Sequence, residues 1–278
     1  MSYTTLISTD DLAAHLDGSA YLVVDCRFKL EDTGSGRRAY EAAHIPGAVY
    51  THLNDDLAGV PNGTNGRHPL PDATAFALTL GRLGIGNGTQ VIAYDQDAGM
   101  YASRLWWMLR WIGHAKAAVL DGGFAKWSAE GRPTASGVER RLARSFGGKP
   151  RSEMIVSATD IGTDTDLLDA RAPERFRGDV EPLDHVAGHI PGARNHFYKS
   201  NLSADGTFLS ATALREQFTR VLGDGSAEGL VSYCGSGVSA CHNLLALEHA
   251  GLQGARLYPG SWSEWSSDPA RGVARSAE

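Results

Sequence analysis

The sequence predicts an α/β protein built twice over, each half a mostly parallel central sheet flanked by helices. Three observations carry this. First, segments recur in order: AAHIPGAVY at 42–50 returns as AGHIPGARN at 187–195, with His44 and His189 separated by 145 positions (189 minus 44). LVVDCR at 22–27 returns as LLDAR at 167–171, VIAYD at 91–95 as LVSYC at 230–234, and GGFAKW at 122–127 as GSWSEW at 260–265. Conserved order at nearly constant spacing marks a duplicated domain, and the period is far too long for a solenoid. Second, short apolar runs alternate with helical patterns in both halves, as parallel βαβ units require. Third, 33 glycines among 278 residues exceed the usual ~7%, so tight turns are abundant.

The strand signals in the first half are 21–25, 91–95 and 117–121, with counterparts at 167–169, 230–233 and 256–258. Helices are expected at 9–17 behind a capping Ser or Thr, and at 73–83 behind Pro71-Asp72. Others are expected at 100–112, 212–222 and 238–250. The stretch ERRLARSFGGKPRSE is basic, glycine-bearing and without period, and reads as a linker. The expected organisation is a first domain at 1–138, a linker at 139–153 and a second domain at 154–278.

Composition narrows the function. Lys plus Arg number 26 and Asp plus Glu 32, a formal charge of −6, which gives no support for nucleic-acid or anionic-membrane partners. No apolar run approaches the ~18 residues of a membrane span, and the N-terminus lacks a secretory pattern. Three cysteines, Cys26, Cys234 and Cys241, argue against a disulfide framework and for a reducing, cytoplasmic setting. No familiar metal-ligand spacing is present, so no metal and no cofactor are expected.

The chemistry concentrates in LVSYCGSGVSACHNLLALEHAG. A strand ends at Tyr233, the loop Cys234-Gly235-Ser236-Gly237-Val238-Ser239 follows, and a helix begins. Glycines let successive N–H groups turn inward as an anion-binding nest, and the helix terminus adds positive potential. Both favour a thiolate, and the same cradle suits a persulfide. Cys241 lies inside the helix and reads as core, and Cys26 as structural. The first half has Asp95 where the second has Cys234. An aspartate lacks sulfur nucleophilicity, so the first half is expected to be catalytically inactive. Asp25 and Asp169, each two residues before an Arg, recur in both halves and read as fold-shaping, as do His44 and His189. The tryptophans at 106, 107, 111, 262 and 265 read chiefly as packing residues.

These residues together resemble the two-domain rhodanese-type sulfurtransferases over about residues 5–266. Within that family, CGSGV followed by Ser-Ala is similar to the loop of 3-mercaptopyruvate sulfurtransferases. Thiosulfate-preferring members more often carry basic residues in this loop, and none lies between Cys234 and Ser239. The resemblance implies a sulfane sulfur carried from 3-mercaptopyruvate, through a Cys234 persulfide, to a thiol or cyanide acceptor. Thioredoxin is among the candidate thiols. It further implies that Arg175 of ERFRG binds the donor carboxylate, with Arg177 a weaker candidate. The backbone of Gly235, Gly237, Val238 and Ser239 is expected to cradle the donor sulfur. By the same resemblance Ser236 and His68 of GRHPLP are expected to relay a proton, with a carboxylate near Asn54-Asp55-Asp56 behind them. The mercaptopyruvate enzymes carry a second arginine about nine residues after the first, where this chain has Asp184.

Three alternatives compete with this reading. One is a thiosulfate sulfurtransferase working by the same persulfide. Another is a non-enzymatic persulfide carrier. The third, a Cys-loop phosphatase or arsenate reductase, needs Arg six residues after the cysteine, where this chain has Ala240.

Overall fold

The computed structural model describes residues 2–16, 18, 20–223 and 225–276. The chain divides into two compact units, and neither is contiguous in sequence. The first comprises Met1–Ala58, Pro71–Arg151 and Ala204–Phe208; the second comprises Gly59–Leu70, Ser152–Ser203 and Leu209–Glu278. Residues 59–70 of the first sequence half therefore belong to the second unit.

The first unit holds strands β1 (Leu6–Ile7), β2 (Tyr21–Asp25), β3 (Val49–Tyr50), β4 (Gln90–Tyr94) and β5 (Ala117–Leu120), in the order β1-β5-β4-β2-β3. Every pairing is parallel. The central β4 is buried along its whole length, as a strand covered on both faces must be. Its core joins Val23, Ile45, Ile92, Tyr94, Phe124 and Trp127.

The second unit holds β6 (Leu167–Asp169), β7 (Arg194–Asn195), β8 (Val231–Tyr233) and β9 (Arg256–Leu257), in the order β7-β6-β8-β9, again all parallel. Ile155 bridges Leu257 on the side where β1 lies against β5 in the first sheet. The expected strands are present, with ends moved by a residue at most. β1, β3 and β7, of two residues each, were not among the expected strands.

The helices follow their capping signals. Ser8 Oγ accepts the Asp11 N–H at 3.0 Å ahead of Thr9–Ala13, which ends short of the expected 17; residue 17 itself lies outside the described residues. Asp72 accepts the N–H groups of Thr74 and Ala75 at 2.9 and 3.0 Å ahead of Ala73–Arg82. Helices Met100–Trp111, Ala211–Leu222 and Ala240–His249 complete the expected set; Ser35–Ala42 and the shorter Leu53–Asp56, Gly123–Ala129, Pro173–Arg177 and Ser261–Trp265 were not expected from the sequence. Residues 138–151 form no helix or strand, yet they are fastened to the first unit: Arg144 N–H donates to Gly81 C=O at 2.9 Å and Arg151 N–H to Trp111 C=O at 2.8 Å. Among the described residues no helix is long and apolar enough to cross a membrane.

The recurring residues are structural in both units. The Arg27 guanidinium grips the Asp25 carboxylate through Nε at 2.9 Å and donates from Nη2 to Ala43 C=O at 2.6 Å, just before the HIPGA turn. Arg171 does the same with Asp169 at 3.0 Å and Gly188 C=O at 2.7 Å. Each pair ties a strand end to the following turn. His44 and His189 are buried, each with Nδ1 on a backbone carbonyl, Tyr40 at 2.8 Å and Phe176 at 2.7 Å. Trp106, Trp107, Trp111, Trp262 and Trp265 are all buried.

Candidate active site

β8 delivers Cys234 to the carboxyl edge of the second sheet, the place where open parallel sheets collect ligands. The cysteine is 2% exposed. Its N–H donates to Ser261 Oγ at 3.1 Å, and its carbonyl accepts from the Trp262 N–H at 2.9 Å. Gly235 C=O accepts the Ser263 N–H at 2.9 Å. The loop is thus fixed from behind by residues 261–263.

Ser261 bears strain in doing so. Its φ is 56°, a left-handed conformation unfavourable for a residue with a Cβ, and it is fully buried. Its hydroxyl also donates to Tyr258 C=O at 2.9 Å. Gly237 has a stricter requirement: φ is 74°, and a Cβ there would lie 2.4 Å from Pro259 O. Among the described residues, the N–H groups of Gly235, Ser236, Val238 and Ser239 find no protein acceptor. Buried N–H groups are nearly always paired, so this set forms a cradle open to an anion.

Several sequence candidates converge on the loop. His68 Nδ1 and Ser236 Oγ share a hydrogen bond of 2.8 Å, both side chains being buried. Arg175, on the short helix Pro173–Arg177, reaches over Gly235: its Nη1 and Nη2 lie 3.6 Å from the point a Gly235 Cβ would occupy. Glu181 aims it, accepting from Arg175 Nε at 3.2 Å and Nη2 at 2.5 Å. Arg177 turns away to Asp179 at 2.7 Å. Near the expected supporting carboxylate, Asp55 lies 3.0 Å from His52 Nδ1 and Asp56 pairs with Arg82 at 2.5 Å, both inside the first unit.

Three members of this constellation were not singled out from the sequence. Arg67 donates to Asp184 and sends Nη2 to 2.8 Å from the same Gly235 point. Glu181 and Ser261 have no motif of their own. Only the adjacency of Arg67 to His68 could have drawn attention to the first.

The other two cysteines are buried. Burial pushes the Cys26 thiol well up, and Thr51 Oγ1 lies 3.3 Å from its sulfur. The Cys241 thiol donates to Gly237 C=O at 3.3 Å inside the core. Among the described residues no cluster of His, Cys, Asp or Glu is arranged to hold a metal ion.

The equivalent loop of the first unit is filled by its own side chain. Asp95 carboxylate oxygens accept the N–H groups of Gly99 and Tyr101 at 2.8 Å each and of Ala102 at 3.2 Å. Burial pushes this carboxyl up to about 6, against the pull of those donors.

The rhodanese-like domain family matches residues 8–130 and again 157–268. The chain belongs to this family. A Pseudomonas aeruginosa protein named "Probable 3-mercaptopyruvate sulfurtransferase" is 46% identical, with 99% of each chain covered. A Mycobacterium tuberculosis protein, provisionally named a thiosulfate sulfurtransferase, is 41% identical, covering 97% of this chain and 96% of its own. The solved 3-mercaptopyruvate sulfurtransferase from Leishmania major superposes with a TM-score of 0.86 at 32% identity, covering 95% of this chain and 74% of its own. Fold, loop and relatives together define an enzyme of the sulfurtransferase kind.

Proposed function

We propose that Cys234 is the sulfur-accepting nucleophile of a 3-mercaptopyruvate sulfurtransferase. The observation that carries the reading is a cysteine at a strand end beneath unpaired loop N–H groups, with the guanidinium of Arg175 one residue away.

The reaction proceeds in two displacements. The Cys234 thiolate attacks the donor sulfur; the new S–S bond forms as the donor C–S bond breaks. The electron pair leaves on the methylene carbon as pyruvate enolate, which takes a proton to become pyruvate. Ser236 Oγ, hydrogen-bonded to His68 Nδ1, is placed to hand over that proton, and His68 to resupply it. Arg175 orients the donor through its carboxylate, with Glu181 fixing the guanidinium plane. The loop N–H groups of Gly235, Ser236, Val238 and Ser239 receive the anionic outer sulfur. In the second displacement cyanide or a thiolate attacks that sulfur, taking it away as thiocyanate or a persulfide and restoring the Cys234 thiolate.

Thiosulfate is the second donor reading, favoured by the Mycobacterium relative's name. Against it stands the absence of basic residues within the loop itself. Measuring kcat/KM for both donors with cyanide, alongside mass spectrometry of the Cys234 peptide, separates the two. Mercaptopyruvate is expected to win by at least about tenfold, the equivalent of one charge-assisted contact, with a +32 Da adduct appearing on that peptide. Preference for thiosulfate would overturn the donor; absence of the adduct would overturn the nucleophile.

A further inference from the structure

Six side chains of the second unit form one chain of alternating charge. Arg171 Nη2 lies 2.7 Å from Asp169 Oδ2, and its Nη1 3.3 Å from Glu181 Oε2. Arg175 Nη2 lies 2.5 Å from Glu181 Oε1 and 3.5 Å from Asp184 Oδ2. Arg67 closes the chain on Asp184 Oδ1. The three carboxylates are at most 6% exposed. Buried carboxylates persist only when paired and hydrogen-bonded, and each of these has at least one guanidinium.

Arg67 has capacity left over. Its Nε is buried without a hydrogen-bond partner, and its Nη2 stands 2.8 Å from the point where a Gly235 Cβ would be. Arg175 reaches that same point from its own side. Two guanidiniums therefore meet above the residue following Cys234, with the Asp184 carboxylate between them to offset their repulsion. Gly235 is what makes this approach possible, since any side chain there would meet Arg67.

We propose that Arg67, held by Asp184, is a second donor-binding residue, which with Arg175 grips a 2-oxo acid by its carboxylate and neighbouring carbonyl oxygen and disfavours a compact dianion. The proposal rests on Cys234 being the sulfur-accepting nucleophile. Three arginines face three carboxylates here, so the cluster offers directed N–H donors without excess positive charge. A monoanion with two spaced acceptors gains from directed donors, whereas a dianion such as thiosulfate gains most from net positive charge. Residue 184 does not supply a guanidinium; it holds one that arrives from residues 59–70.

The test uses the full chain carrying Arg67→Met, Asp184→Asn, Arg67→Asp and the reversal Arg67→Asp with Asp184→Arg. Steady-state kinetics are read for 3-mercaptopyruvate and thiosulfate with cyanide, and Cys234 alkylation by neutral iodoacetamide serves as the control for an intact loop. Arg67→Met is expected to raise the mercaptopyruvate KM by about 10- to 100-fold, as loss of one charge-assisted contact implies. Its kcat and alkylation rate should stay within about threefold, a split that a merely structural residue would not give. Asp184→Asn should shift the donor ratio towards thiosulfate, and the reversal should regain at least about tenfold over Arg67→Asp alone. An unchanged mercaptopyruvate KM in Arg67→Met, an equal rise for both donors, or a reversal no better than Arg67→Asp would overturn the proposal. Loss of the +32 Da adduct in the unsubstituted enzyme would instead strike the reading of Cys234 on which it rests.

Discussion

The two loops at 95–100 and 234–239 occupy equivalent strand ends and differ most consequentially at their first residue, Asp95 against Cys234. Both end a buried parallel strand and open a helix of ten or more residues. In the first, the Asp95 carboxylate folds back and takes three N–H groups for itself. In the second, four loop N–H groups are left without a protein acceptor. A self-satisfied cradle stabilises a domain; an unsatisfied one is free to receive an anion. The supporting residues differ in the same sense. Position 123 is glycine at φ 58°, at no steric cost, whereas its counterpart Ser261 adopts φ 56° with a side chain, and the hydroxyl it thereby gains accepts the Cys234 N–H. The duplication kept the backbone and separated the chemistry.

Exchanging the two residues is the sharpest way to break this comparison. Cys234→Asp should abolish sulfur transfer by at least ~10³-fold, about 4 kcal/mol of barrier, while Asp95→Cys should confer no second active site; a persulfide adduct at residue 95 would contradict the latter. Next in size comes the loop backbone. Gly237→Ala meets a carbonyl at 2.4 Å with φ at 74°, so both stability and turnover should fall steeply, by several kcal/mol in denaturant titration. Gly235→Ala meets only the far end of Arg67, so it should fold normally and show itself as a raised donor KM.

Ser261 distinguishes strain from hydrogen bonding. Ser261→Ala keeps the left-handed strain and loses the acceptor for the Cys234 N–H, at a cost of about 1–2 kcal/mol. Ser261→Gly loses the same bond but relieves the backbone, so it should be the milder of the two. If the alanine variant is the more stable in urea titration, the strain account is wrong.

A further effect is pH-dependent and belongs to the first unit. The folded Asp95 carboxyl, at about 6, lies above its ordinary 3.8. Between those values the unfolded chain is ionised there and the folded one is protonated. Stability therefore declines as pH rises from about 4 to about 6, on the order of 3 kcal/mol if the group acts alone, and levels off above. Asp95→Asn should flatten this segment of the profile; an unaltered slope would assign it to other groups.

Much of this was legible in the residues. The repeat named the paired strands, the capping signals at Ser8 and Asp72 marked helix starts, and CGSGVS announced an anion cradle through its glycines. His68 and Ser236 were paired in the reading by resemblance and stand 2.8 Å apart in the structure. What escaped were residues whose roles arise only from contact. Beyond its adjacency to His68, Arg67 has no local signal, because its partners Asp184 and Gly235 are more than a hundred positions away. The strained Ser261 is invisible for a related reason: nothing in a sequence reports a positive φ at serine.

By itself, then, the sequence determined the duplication, the parallel α/β halves and the single cysteine loop, because periodicity, glycine spacing and caps are local properties of a chain. Only the tertiary structure decided that residues 59–70 join the second unit, that a carboxylate at 184 holds an arginine from 67, and that the first cradle is closed by its own aspartate. Those outcomes depend on which distant charges share one buried volume, and electrostatics acts through space without regard to position along the chain.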